Sequence, residues 1–146
     1  MRKTVLAAAF AGLAATVPAG ASESPLLQPG DRQIPVDEWI DMVEGRTVYY
    51  FIEGRFFGQE YYFPGNRFAR FQHVSGVCLE GTWDYRPRDF AYCYHWGHDS
   101  PCFQHVEREG EIKVLILDPG PDTVLEEQTV MQVVDGGFSC EGGFTS

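Results

Sequence analysis

The chain has 146 residues, with 21 acidic and 11 basic side chains and a formal net charge of −10 at pH 7. This length predicts a single domain. An acidic surface repels phosphate backbones and anionic lipid head groups, which argues against nucleic acid or a membrane surface as partner and favours a cationic one.

The first 21 residues have the pattern of a signal peptide. Arg2 and Lys3 form a positive n-region, residues 5–17 are apolar, and Ala21 ends a small-x-small cleavage site. The apolar stretch is shorter than the roughly 20 residues of a membrane span, so we expect no stable membrane insertion. Cleavage removes two positive charges and takes the net charge from −10 to −12. We expect an exported protein, periplasmic or secreted.

Residues 22–34 are rich in Pro, Ser, Gln and Gly, a composition typical of a flexible leader. A short helix is predicted over residues 35–44 from four apolar side chains at helical spacing: Val36, Trp39, Ile40 and Val43. Because a helix this short needs tertiary contacts, we expect it to dock on a sheet or to plug the end of a barrel.

Turn residues then recur about every eleven positions, at Gly54, Gly65, Gly76, Pro87, Asp99, Gly110 and Gly120. Short strands at this spacing are typical of all-β folds, and short connections join antiparallel neighbours. Eight strands are predicted, at residues 47–52, 55–63, 67–74, 77–85, 90–96, 102–107, 111–117 and 123–134. The predicted fold is an all-β, eight-stranded antiparallel up-and-down barrel or half-barrel over residues 35–146, with one N-terminal helix. An open sheet of five or six strands is the alternative.

Four cysteines in an exported domain predict two disulfides, and we favour Cys93–Cys102 with Cys78–Cys140. A hairpin centred on Asp99 would place Cys93 opposite residue 105. The first pair therefore requires a wide or bulged loop.

An eight-stranded barrel has an interior that is either filled by side chains or able to hold one small ligand. The candidate ligand lining is Tyr49, Phe51, Glu60, Tyr62, Trp83, Tyr92, Tyr94 and Trp96. The same aromatic residues are equally consistent with a plain core. Glu60 lies on an aromatic strand, where burial would raise its pKa.

Three histidines near one hairpin, His95, His98 and His105, suggest a Zn or Cu site. Against it, the H-x-x-H spacing at a strand end places His95 and His98 on different faces. Glu60 with Glu80 is the candidate carboxylate pair of a hydrolase, but a glutamate bonded to a tyrosine or to Arg55 or Arg70 is the simpler interpretation. The G-x-S-x-G motif is absent from the sequence. We expect no enzyme activity and no cofactor.

Five short runs carry a resemblance: Gly45-Arg46-Thr47, the segment from Gly58 to Gly65, Gly81-Thr82-Trp83, Cys93-Tyr94 and Cys102-Phe103. Through them the chain resembles small exported alphaproteobacterial proteins without an assigned activity. It is also similar in plan to lipocalin-like barrels, but their Gly-x-Trp motif lies on the first strand and here it falls on the fourth.

Periplasmic lysozyme inhibitors of small-barrel type are a second analogy, because an acidic barrel would attract a cationic lysozyme. Their Ser-Gly-x-x-Tyr loop is not found at Ser75-Gly76. The sequence thus predicts a monomeric binding protein for a small apolar or aromatic ligand or for a cationic protein. Lysozyme inhibition and Zn or Cu binding are the alternatives.

Overall fold

The computed structural model describes residues 21–141, so the predicted signal peptide lies outside the described residues except for Ala21. The described part has one helix and nine strands. They are β1 Arg32–Gln33, α1 Val36–Val43, β2 Arg46–Ile52, β3 Arg55–Tyr62, β4 Phe68–His73, β5 Cys78–Arg86, β6 Ala91–His95, β7 Cys102–Arg108, β8 Glu111–Ile116 and β9 Gln128–Asp135.

Strands β2 to β9 form a closed antiparallel barrel in which each strand pairs with the next along the chain. The ring closes where β2 pairs with β9, for example through Val48 and Val133. The prediction of an eight-stranded up-and-down barrel is confirmed, and the half-barrel and the open sheet are wrong. Closure satisfies the backbone hydrogen bonds that an open sheet would leave at its two edges.

The helix α1 plugs the end of the barrel from which β2 starts. Trp39 is fully buried, and its ring centroid lies 5.8 Å from that of Tyr62, 6.0 Å from that of Tyr92 and 4.2 Å from that of His105. Val43 is also buried, one helical turn further on. This half of the barrel therefore has a core filled by side chains.

Residues 22–34 lie along the barrel wall, although their composition predicts a flexible leader. Within them β1 pairs with β7, and Ile34 is buried against the barrel core. The guanidinium of Arg108 binds the Asp31 carboxylate, with a nitrogen–oxygen distance of 2.7 Å. Composition misses this docking because specific polar contacts and one apolar side chain hold the segment, whereas composition reports only average polarity.

Both predicted disulfides are present, Cys93–Cys102 and Cys78–Cys140. Cys93 lies directly opposite Cys102 on β6 and β7, with 4.0 Å between the Cα atoms. The turn is centred between residues 97 and 98, because the amide of Trp96 donates a hydrogen bond to the carbonyl of Asp99 at 2.9 Å. The expectation of a hairpin centred on Asp99 is therefore wrong, and the pair needs no wide loop.

The remaining strand bounds agree with the prediction within one or two residues, except in β9. This strand begins at Gln128, whereas the sequence pattern predicts a start at residue 123. The connection from β8 is accordingly longer than the other connections, and residues 121–126 in it are exposed. It joins the two strands at the end of the barrel away from α1.

Candidate functional site

A cavity of about 180 Å³ lies inside the barrel, in the half away from α1, and is partly open to solvent. Strands β2 to β9 all contribute to its lining. The lining residues are Tyr50, Phe57, Glu60, Phe71, Leu79, Tyr94, Trp96, Pro101, Phe103, His105, Val114 and Gln128. Most are apolar or aromatic, and the polar groups deepest in the barrel are those of Tyr50, Glu60, Tyr94 and His105.

The aromatic side chains form a connected wall around the cavity. Phe57 packs on Phe71 with 6.0 Å between ring centroids, and Phe71 on Trp96 at 6.4 Å. Trp96 stacks on Tyr94 at 5.7 Å, and Tyr94 meets the edge of Phe103 at 6.0 Å. Because each ring contacts the next at a different angle, the wall is continuous and presents both ring faces and ring edges to the interior.

A β-bulge in the β2–β3 hairpin decides which side chains point inward. Tyr50 lies opposite Gly58 and Phe51 lies opposite Phe56, so Phe57 is the extra residue on β3. Beyond the bulge Glu60 lies opposite Val48. Directly opposed residues share a face of the sheet, so the inward residues of β2 are Val48 and Tyr50.

Two inward-facing glycines make room for the aromatic wall. A Cβ atom on Gly58 would lie 2.7 Å from Cζ of Phe71. On Gly81 it would lie 2.0 Å from the carbonyl oxygen of His95 and 3.0 Å from Cε3 of Trp96. The missing side chains allow these rings to approach the backbone, which is a usual role of glycine inside a strand.

A chain of hydrogen bonds crosses the barrel at the base of the cavity. The hydroxyl of Tyr50 donates to Oε2 of Glu60 at 3.0 Å and lies 3.3 Å from the hydroxyl of Tyr62. Tyr62 is bonded to Tyr94 at 2.7 Å between hydroxyl oxygens, and the Tyr94 hydroxyl lies 3.5 Å from Nε2 of His105. Burial raises the pKa of all three tyrosines well above its ordinary value. The hydroxyls are therefore neutral at physiological pH.

Glu60 is the buried acid of this site. Its side chain is 5% exposed, and its Oε1 atom has no hydrogen-bond partner. Burial raises its pKa from 4.5 to about 8, although hydrogen bonds from Tyr50 and Tyr62 act in the opposite direction. The cavity lining contains neither Lys nor Arg. At pH 7 Glu60 is therefore mostly a neutral acid with one free oxygen.

His105 is the one histidine among the residues that line the cavity. Its ring stacks on Tyr92 at 4.0 Å between centroids and makes an edge contact with the ring of Trp39 at 4.2 Å. Burial lowers its pKa from 6.5 to about 3, so the imidazole is neutral. Its Nδ1 atom is buried without a hydrogen-bond partner.

Of the eight predicted lining residues, three line the cavity: Glu60, Tyr94 and Trp96. Three others, Tyr62, Trp83 and Tyr92, lie inside the barrel in its filled half, where the Trp83 ring packs on the other two.

The prediction is wrong for Tyr49 and Phe51, which share the opposite face with Phe56 and contact its ring. A hairpin without a bulge would put Thr47 opposite Glu60 and turn both aromatic residues inward. The extra residue at Phe57 reverses this assignment.

Most of the wall is not predicted from the sequence, because the face that a side chain takes depends on where each turn is centred. Glu60 lies opposite Phe71, and Phe71 lies opposite Leu79, so one row of inward side chains crosses three strands. A turn centred on Gly65 would pair Glu60 with Arg70, and one centred on Gly76 would pair Phe71 with Gly81, so counting outward from the predicted turns does not give this row. The positions of Phe57 and Tyr50 depend in addition on the bulge.

The three histidines of the predicted metal site do not meet. His105 is inside the barrel, His95 is bonded to Asp84 and Ser100 on the outside, and His98 is exposed in the turn. Within residues 21–141, no group of three or more His, Cys, Asp or Glu side chains could hold a metal ion. Alternate residues of a strand point to opposite faces, which separates His105 from the outer pair.

The carboxylate pair also fails to form. Glu80 is mostly exposed and accepts a hydrogen bond from the Arg70 guanidinium at 2.7 Å, on the outside of the barrel. Glu60 thus has no second carboxylate among the residues that line its cavity.

Comparisons with protein-family models, with curated proteins and with solved structures found no match for this chain. Within the described residues, no helix is long and apolar enough to cross a membrane.

Proposed function

We propose that this protein is an exported, non-enzymatic binding protein that holds one small, mainly apolar or aromatic ligand inside its barrel. The observation that carries this proposal is the cavity of about 180 Å³ walled by contacting rings, with Oε1 of Glu60 unpartnered at its base. An engineered apolar cavity of about 150 Å³ in another protein binds benzene. The volume here suits a single six-membered ring with a short substituent.

The contrast between the two halves of the barrel supports the interpretation of the open space as a ligand site rather than as a packing defect. Around Trp39 the interior is packed with buried side chains, whereas the half that contains Glu60 keeps open space of about 180 Å³ beside the unpartnered Oε1 of Glu60. Unpartnered polar atoms are also buried in the packed half, at Nε1 of Trp39 and of Trp83, so the open space is what distinguishes the two halves. Protein interiors are normally packed to the density of organic crystals. A buried polar atom without a partner costs about 1–3 kcal/mol. A ligand with an apolar body and one polar group would remove both defects.

Export is supported by the pattern of residues 1–21 and by the two disulfides. Disulfides persist in oxidising compartments such as the bacterial periplasm and the extracellular medium. A protein that carries a small ligand in such a compartment needs a closed, stable container, and a disulfide-linked barrel provides one.

Saturation-transfer NMR with ethylbenzene and benzyl alcohol tests the proposal directly. We expect transfer to the wild-type protein and its loss in Leu79→Trp, because the larger side chain occupies the cavity. Met131→Trp is the matched control, since it adds the same ring at a position that is 57% exposed and outside the cavity lining. Equal transfer to both variants, or none to the wild type, would refute binding inside the barrel.

A further inference from the structure

We propose that the natural ligand is a protonated amine on a small apolar or aromatic body, and that its ammonium group forms an ion pair with Glu60 inside the cavity. This inference rests on the proposed function and names the ligand class for the same cavity. It follows from the buried acid, the aromatic wall and the charge distribution at the open end.

The first support is the unbalanced charge of the site. Among the lining residues Glu60 carries the one carboxyl group, and neither Lys nor Arg is present to pair with it. A carboxylate inside a protein normally requires a paired cation or several hydrogen-bond donors. Here Oε2 accepts a hydrogen bond from Tyr50, the Tyr62 hydroxyl also hydrogen-bonds to the carboxyl group, and Oε1 has no partner. An ammonium group supplies both the missing charge and the missing donors.

The second support is the aromatic wall around the acid. The rings of Phe57, Phe71, Tyr94, Trp96 and Phe103 surround one space and contact one another. The face of an aromatic ring attracts a cation within about 6 Å, and cages of such rings recognise ammonium ligands in other proteins. The same rings also bury the apolar body of the ligand, so one wall serves both parts of an amphipathic amine.

The third support is the charge around the open end. The connections at that end are residues 53–54, 74–77, 96–101 and 117–127, and they contain six carboxylates but neither Lys nor Arg. The six are Glu53, Asp99, Asp118, Asp122, Glu126 and Glu127. Glu53 lies 3.7 Å from Arg55 in an exposed pair, Glu127 binds Arg108, and Lys113 lines the same surface pocket as Glu53, Glu126 and Glu127. Asp99, Asp118 and Asp122 lie on the connections at the open end and have no ion pair among the described residues. The remaining charge attracts cations to the entrance and repels anionic ligands.

Binding of the amine must release a proton. The titratable groups that face Glu60 are Tyr50, Tyr62, Tyr94 and His105, on β2, β3, β6 and β7, and all four are neutral at pH 7. The lining residues of β4, β5, β8 and β9 are Phe71, Leu79, Val114 and Gln128, and α1 contributes Trp39 to the core beneath; none of these titrates.

Because burial raises the pKa of Glu60 to about 8, the ligand-free protein holds the carboxyl proton at pH 7. An ammonium ligand binds the carboxylate, so the carboxyl O–H bond breaks and the proton leaves to solvent while the ligand keeps its own protons. Affinity for the amine therefore rises about tenfold per pH unit up to pH 8.

Titration calorimetry with benzylamine, benzyl alcohol and ethylbenzene tests the ligand class. At pH 8 we expect wild-type protein to bind benzylamine at least about tenfold more tightly than either neutral analogue. At pH 7, comparing buffers with different ionisation enthalpies should give release of about one proton per benzylamine bound and none for the analogues. Glu60→Gln should lose the amine preference and keep ethylbenzene binding, whereas Glu80→Gln removes an equal charge from the outer surface and should behave as wild type.

The outcomes separate the two proposals. Equal or tighter binding of the neutral analogues by the wild type would overturn the amine assignment and leave a neutral-ligand cavity. Binding of none of the three compounds would overturn both proposals. Should Glu60→Gln fail to fold, the wild-type buffer comparison decides alone, since amine binding at pH 7 without proton release rules out an ion pair with Glu60.

Discussion

Raising the pH from 6.5 to 8 should destabilise this protein by about 2 kcal/mol, because the fold keeps Glu60 protonated. Its pKa is about 8 when folded, against an ordinary value of 4.5. Because its pKa is raised in the folded state, Glu60 contributes stability that is complete below pH 4.5 and is lost as the pH rises to 8. Each unit of pKa difference corresponds to about 1.36 kcal/mol, so the loss over this whole range is about 5 kcal/mol.

His105 has the opposite effect in a neighbouring range. Its pKa falls from 6.5 to about 3 on folding. Its contribution to stability is complete above pH 6.5 and is lost as the pH falls to 3, again by about 5 kcal/mol in total. Between pH 4.5 and 6.5 the two slopes cancel. The free energy of unfolding should therefore rise up to pH 4.5, stay level to pH 6.5 and fall towards pH 8.

Urea unfolding at pH 4, 5.5, 6.5 and 8, followed by tryptophan fluorescence, measures this profile. In Glu60→Gln the fall above pH 6.5 should vanish, and a rise of about 2.7 kcal/mol should appear between pH 4.5 and 6.5, because the contribution of His105 is then no longer cancelled by that of Glu60. Glu80→Gln is the matched control and should keep the wild-type profile. A wild-type stability that does not fall between pH 6.5 and 8, or an equal fall in Glu60→Gln, would refute the burial argument.

Two further predictions concern the framework of the site. Gly81→Ala should lower the free energy of unfolding in urea by about 1–3 kcal/mol, because its Cβ atom would lie 2.0 Å from a carbonyl oxygen. Gly120→Ala is the control and should be close to neutral, since the nearest contact of its Cβ atom is at 3.4 Å. Equal effects of the two substitutions would contradict the close-packing argument. Replacing Cys78 and Cys140 together by Ser should lower the free energy of unfolding by about 4 kcal/mol, because that disulfide spans 62 residues. Loss of the Cys93–Cys102 bridge, which spans 9 residues, should lower it by about 2.6 kcal/mol in the same chain-entropy model. A larger loss from the short bridge would show that the loop-entropy model does not describe this fold.

The architecture could be predicted from sequence because turn chemistry is local. Glycines such as Gly54, Gly65 and Gly110 adopt positive φ angles at hairpin turns, and a turn residue acts through its own backbone. The helix was also predictable, since the spacing of Trp39 and Val43 is a property of one segment. Closure of the barrel follows once eight antiparallel strands are joined by short turns and must satisfy both edges.

The cavity was harder to predict because a side chain's face depends on register across strands. One extra residue at Phe57 reverses the face assigned to Tyr49 and Phe51 relative to Glu60. A bulge of this kind has no strong sequence signature at a position occupied by Phe. The docking of residues 22–34 was missed for a related reason, since the Asp31–Arg108 pair joins residues that are far apart in the chain.

The stability that the fold loses through Glu60 at high pH is similar in size to the stability that the proposed ligand would add. Above pH 6.5 the fold loses stability because it must either keep Glu60 protonated or bury its charge. An isosteric glutamine would avoid this cost, so the carboxyl group weakens the ligand-free protein. A ligand at about one hundred times its dissociation constant stabilises the folded state by about 2.7 kcal/mol. Binding of a cation would thus offset the loss of about 2 kcal/mol between pH 6.5 and 8, and the amine complex, unlike the ligand-free protein, should be as stable at pH 8 as at pH 6.5.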